Sequence, residues 1–134
     1  MENKYNPIIS SFYISNQNQR PSAILNVDTE DHTGSLDLTL MLLGFPLEKN
    51  SSNYIINITI STTNQIIHYE NVVLDLSTDN IPKENMINSK TFGTNMIMHT
   101  ANITLPKDDY VTVRLDLTLG SQMLSTKEST AFVR

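Results

Sequence analysis

The chain has 134 residues, a formal charge of −5 from 9 Lys and Arg against 14 Asp and Glu, and a composition that is 39% hydrophobic and 17% charged. That length buries the core of one domain, residues 1–134, and is too short for two; the apolar content is too high for a disordered chain and too dispersed for a membrane-spanning helix. Basic residues stand singly from Lys4 to Arg134 and cysteine is absent, which argues against nucleic acid and anionic membranes as partners and excludes disulfides, thiolate metal sites and a cysteine nucleophile.

Met1 to Pro7 is polar and lacks the apolar core of a secretory signal, so the expected location as written is the cytoplasm. A cell surface or virion is the alternative if a leader was removed or the gene is phage-derived. Ile8 to Ser15 and Ala23 to Thr29 are β-rich runs separated by Asn16-Gln17-Asn18-Gln19 and Pro21, and the second is closed by Asp31-His32-Thr33-Gly34. Leu36, Leu38, Leu40 and Leu42 then alternate with Asp37, Thr39 and Met41, and Tyr54, Ile56, Ile58 and Ile60 with Ile55, Asn57 and Thr59. Period two of this kind marks half-buried strands. Gln65 to Leu76 is also β-rich, but unbroken alternation would set His68 and Glu70 on one face with Val72, Leu74 and Leu76. A bulge or short turn is expected at Glu70-Asn71.

Thr78 to Thr94 is longer than an ordinary connection. Within it, Asp79 or Asn80 would cap a single helical turn starting near Pro82. In the next strand Ile97, His99, Ala101, Ile103 and Leu105 read as the inward row, and Met96, Met98, Thr100, Asn102 and Thr104 as the outward one. From Tyr110 to Leu119, Val111, Val113, Leu115 and Leu117 alternate with polar residues. Leu119-Gly120-Ser121-Gln122 suits a type II′ hairpin. A bulge between Leu124 and Ser129 would bring Ala131 and Val133, or Phe132, back to the core. About eight strands joined by turns imply an all-β fold, a two-sheet antiparallel β-sandwich. The 15 Asn, 15 Thr and 14 Ile suit it, and fit a bacterial or phage source.

The stretch Asn102-Ile103-Thr104-Leu105-Pro106-Lys107-Asp108-Asp109-Tyr110-Val111-Thr112-Val113 resembles the E–F corner of immunoglobulin-like and fibronectin type III-like domains. The resemblance implies an immunoglobulin-like sandwich and an inward-leaning Tyr110 whose hydroxyl bonds upstream backbone. The absence of Trp and Cys removes the antibody-type core pin. Such a fold implies no activity.

His32, His68 and His99 fall on separate elements, without the convergent spacing of a zinc site. Asp28, Glu30, Asp31, Asp108 and Asp109 read as solvated loop carboxylates rather than a calcium cluster. The four glycines frame neither a serine elbow nor a phosphate loop. No catalytic residue, cofactor or metal is therefore expected, and the chain is not read as an enzyme. Met96 and Met98, on the nominally polar face, adjoin a segment carrying Ile81, Met86, Ile87 and Phe92. Either that segment covers the face or the six residues form a surface for a protein partner or for self-association. The reading is a non-catalytic protein-interaction or structural module. The alternative is a carbohydrate-binding module, with Tyr5, Phe45 and Tyr69 as the available stacking platforms.

Overall fold

The computed structural model describes residues 6–15, 21–27, 33–47, 53–76 and 81–134, without the side chains of residues 33, 101 and 102. Its strands are β1 (Ile8–Ser15), β2 (Ile24–Leu25), β3 (Thr33–Pro46), β4 (Tyr54–Ser61), β5 (Ile66–Val73), β6 (Met86–Asn88), β7 (Thr91–Thr104), β8 (Asp109–Leu119) and β9 (Gln122–Val133). They form a four-stranded sheet in the order β1-β3-β7-β6 and a five-stranded sheet in the order β2-β9-β8-β4-β5. The expected all-β sandwich is thus present. One pairing departs from a wholly antiparallel arrangement: β2 runs parallel to β9, with Ile24 beside Phe132 and Leu25 beside Val133.

The inner rows of the two sheets meet as the alternation requires. Leu36, Leu38, Leu40 and Leu42 face Ile56, Ile58, Ile60, Val113 and Leu115 across the sandwich, all fully buried. The β3–β7 ladder shifts register twice, once by an extra residue in β7 and once by an extra residue in β3. At the second, Leu42 pairs with Thr94 but Phe45 with Phe92. Gly44 occupies the shift at φ +84, where a Cβ would stand 2.5 Å from the Asn6 carbonyl oxygen, so glycine is required there. Phe45 is thereby turned inward, 5.1 Å edge-on to Tyr54 and 6.3 Å from Phe92.

The other shift corrects the expected facing of β7. Gly34 pairs with Ile103 but Leu36 with Thr100. Ile103 and Leu105 are inward as expected, while N-terminal to the shift the phase is reversed. Met98 and Thr100 are buried and Met96 packs against the core, whereas Ile97 and His99 point outward. Carrying the Ile103 phase back across a bulge inverts every side chain before it. In β5, no break occurs at Glu70-Asn71; the irregularity lies at Ile67, between the Ile60–His68 and Ser61–Ile66 pairs. His68 and Glu70 do share the inner side with Val72. This is tolerable because β5 is an edge strand, where the pair bonds at 3.2 Å and stays partly solvated. The β8–β9 hairpin turns at Gly120, φ +60, and its bulge at Leu124 falls within the expected span, delivering Ala131 and Val133 to the core. After Pro82 the expected helical turn is a 3-10 turn, Lys83–Asn85; Asp79 and Asn80 lie outside the described residues.

Tyr110 corrects the resemblance. It follows the outward phase of Thr112 and Arg114, is 58% exposed, and sets its ring edge-on to Phe132 at 5.5 Å on the outside of the sheet. Tyr110 therefore does not sit beneath this corner.

Candidate functional site

Five of the six residues expected at an interaction surface are taken up by the sandwich. Phe92 and Met98 are core residues, and Ile81, Met86 and Met96 pack against the core. The strand β6 folds back on β7, pairing Met86 with Phe92, and the Asn85 side-chain amide donates to the Gly93 carbonyl at 2.9 Å. Met96 and Met98 are thus on the inner side of β7, the segment extends the same sheet beside it, and Ile87, 41% exposed, is the member left outside. Phe45, 1% exposed, is no stacking platform. Tyr5, His32, Asp28, Glu30 and Asp31 lie outside the described residues. His68 and His99 belong to different sheets; His99 Nδ1 contacts Asp37 Oδ1 at 2.6 Å. Among the described residues no three potential ligands gather around one metal position.

The outer face of the five-stranded sheet is different in kind. Strand pairing sets Tyr69, Thr59, Arg114 and Glu128 side by side across β5, β4, β8 and β9, and beside them a second row of Asn71, Asn57, Asp116 and Thr126. Rows two residues apart lie about 7 Å from each other, and four strands span about 14 Å. The ring of Tyr69 is 59% exposed although it is carried on regular strand. Asp116 is nearly buried on this face because it accepts from Arg114 Nε at 3.0 Å and from Thr126 Oγ1 at 2.8 Å. The guanidinium is thereby oriented with one of its five N–H groups engaged. The arrangement offers one flat apolar ring beside a fixed fork of donors, two primary amides and a carboxylate.

Sequence reasoning identified Tyr69 but not the residues beside it. The outward polar phase of Asn57, Thr59, Arg114 and Asp116 is visible in the alternation. That β4 lies against β8 is not, because strands distant in sequence meet there.

No protein-family model and no curated protein matches the chain. Solved structures do. A Bacteroides fragilis protein described as a β-galactosidase matches with TM-score 0.55 and 13% identity over 92% of this chain and 17% of its own. A glycosyl hydrolase family 2 member from Bacteroides cellulosilyticus matches with TM-score 0.57 and 10% identity over 92% and 15%. The β-glucuronidase of Parabacteroides merdae matches with TM-score 0.56 and 7% identity over 96% and 14%. At this identity the likeness establishes the fold, a β-sandwich, and the chain spans only a small part of each of these proteins.

Proposed function

We propose that the chain is a non-catalytic β-sandwich module that binds carbohydrate on the outer face of its five-stranded sheet. The exposed Tyr69 ring, flanked on one flat face by Asn71, Asn57 and the Arg114–Asp116 pair, carries this reading. The apolar C–H face of a sugar ring packs on an aromatic ring, and its hydroxyls exchange hydrogen bonds with planar amides and guanidinium groups. Support of a second kind comes from the solved structures: proteins described as a β-galactosidase and a β-glucuronidase contain a sandwich of this fold as a minor part of their length. Galacturonide and glucuronide oligosaccharides suit Arg114 further, through a charge-assisted hydrogen bond to the uronate.

The test is a titration of the labelled chain with neutral galacto-oligosaccharides and with glucurono-oligosaccharides, followed by NMR. Shifts concentrated on Tyr69, Asn71, Asn57 and Arg114 are expected, and Tyr69→Ala should reduce affinity at least tenfold, about 1.4 kcal/mol, without unfolding the domain. Shifts scattered over both sheets, or unchanged affinity in Tyr69→Ala, would refute the reading.

A second reading rests on the opposite sheet. Leu43 and Ile87, each about two-fifths exposed, line a shallow groove of about 320 Å³ there together with Met41, Glu84 and Asn95, and Ile8 pairs beside Leu43. Exposed apolar side chains rimmed by polar ones suit contact with another polypeptide, so the protein-interaction role would belong to this face.

A further inference from the structure

Three of the four outermost strands are protected by simple means. β2 has two residues and β6 three. β1 leans on the other sheet, where the Ile9 amide donates to Ser125 Oγ at 3.2 Å. β5 is the exception. Among the described residues it has β4 on one side and no strand on the other. It runs for eight residues without Pro or Lys, and Ile66, Tyr69 and Val73 are 65%, 59% and 61% exposed. Natural sheet edges avoid this combination because their open N–H and C=O groups template pairing with another chain.

What β5 does carry is the His68–Glu70 pair on its inner side, and its spacing is self-complementary. In an antiparallel pair, residues directly opposite share a face. Only registers that keep outer side chains against outer ones are then open to two copies of β5. Centring on Glu70 sets two carboxylates against each other, and centring on His68 sets two imidazoles against each other. Centring on Asn71 leaves Glu70 opposite Val72. Centring on Tyr69 places each His68 opposite the other copy's Glu70 and the two tyrosines side by side on the outer face.

We propose that a second copy of this chain pairs antiparallel along β5, in the register centred on Tyr69, joining the two five-stranded sheets into one. The two-fold axis closes the assembly at two copies. The interface is narrow, so the dimer is weak and concentration-dependent. This inference does not depend on sugar binding, and the experiments below contain no sugar.

The unmodified chain is examined by sedimentation velocity from micromolar to millimolar concentration, where the dimer fraction should rise. The natural absence of cysteine makes cross-linking decisive for register. Tyr69→Cys should form a disulfide-linked dimer on mild oxidation. Asn71→Cys should not, because its copies stand four residues out of register. His68→Glu, which sets like charges opposite each other, should weaken the dimer about tenfold, and His68→Glu/Glu70→His should restore it. Circular dichroism melts check that each variant is folded. A strictly monomeric parent, equal cross-linking at 69 and 71, or a His68→Glu dimer as strong as the parent's would overturn the proposal.

Discussion

Replacing Met86 and Phe92 together with serine measures how firmly the segment 81–94 belongs to the core. Phe92 is 2% exposed and stacks near Phe45. Removing a buried phenyl ring costs about 3–5 kcal/mol, and a hydroxyl stranded in its apolar site adds about 1–3 kcal/mol. Met86 is only partly buried against the same cluster and contributes about 1 kcal/mol. The sum rivals the whole stability of an ordinary domain, about 5–15 kcal/mol. For a chain of this length each kcal/mol displaces Tm by about 4 °C, so a fall of about 20 °C or failure to fold is expected. Urea melts and calorimetry read the loss. Ile87→Ser, next to Met86 but 41% exposed, should stay within about 0.5 kcal/mol. Phe92→Leu, which keeps most of the volume, should cost about 1.5 kcal/mol and remains measurable if the double variant does not fold. A double-variant loss below about 1 kcal/mol, within reach of two surface changes, would refute the burial of Phe92 in the core.

Tyr110→Phe should alter stability in urea melts by no more than a few tenths of a kcal/mol, since its ring lies outside the sheet; a loss above about 1 kcal/mol would mean a buried, bonded hydroxyl. Gly44→Ala and Gly120→Ala both force alanine into positive φ, but an added Cβ meets the Asn6 carbonyl at 2.5 Å in the first and open space in the second. The same melts should show about 1 kcal/mol at Gly120 and at least twice that at Gly44, where backbone must move.

The strands were legible because each buries one face. Leu36 to Leu42, Tyr54 to Ile60 and Val111 to Leu117 announce themselves by alternation, and Gly120 marks its hairpin. What alternation does not carry is phase across a bulge. Tracing the row back from Ile103 sets Met96 and Met98 outward, but β7 carries one extra residue between Thr100 and Ile103 that only its pairing with β3 reveals. The inward His68 and Glu70 were resisted as core residues, yet at an edge strand the inner side is half solvent. Tyr110 shows local resemblance losing to alternation: Val111 is buried, so its neighbour points out. The candidate binding face was half legible. Its residues occupy outward positions in the sequence, but their adjacency depends on β4 lying between β5 and β8.

The order in which strands meet also bears on how this protein is made. Leu36 and Thr100 are joined across 64 positions, Ile55 and Thr118 across 63, and Ile9 and Ser125 across 116. At about 5–20 residues per second, a ribosome takes about 3–12 s after finishing β4 to supply β8, the strand on its other side. Through that interval the β4–β5 hairpin can form, but Ile56, Ile58 and Ile60 lack β8 beside them in their own sheet. A hairpin so placed is an aggregation hazard on every translating ribosome. The self-complementary spacing of His68 and Glu70 that lets two finished copies pair along β5 would equally let crowded nascent copies pair before β8 emerges, in a chain whose topology makes folding slow.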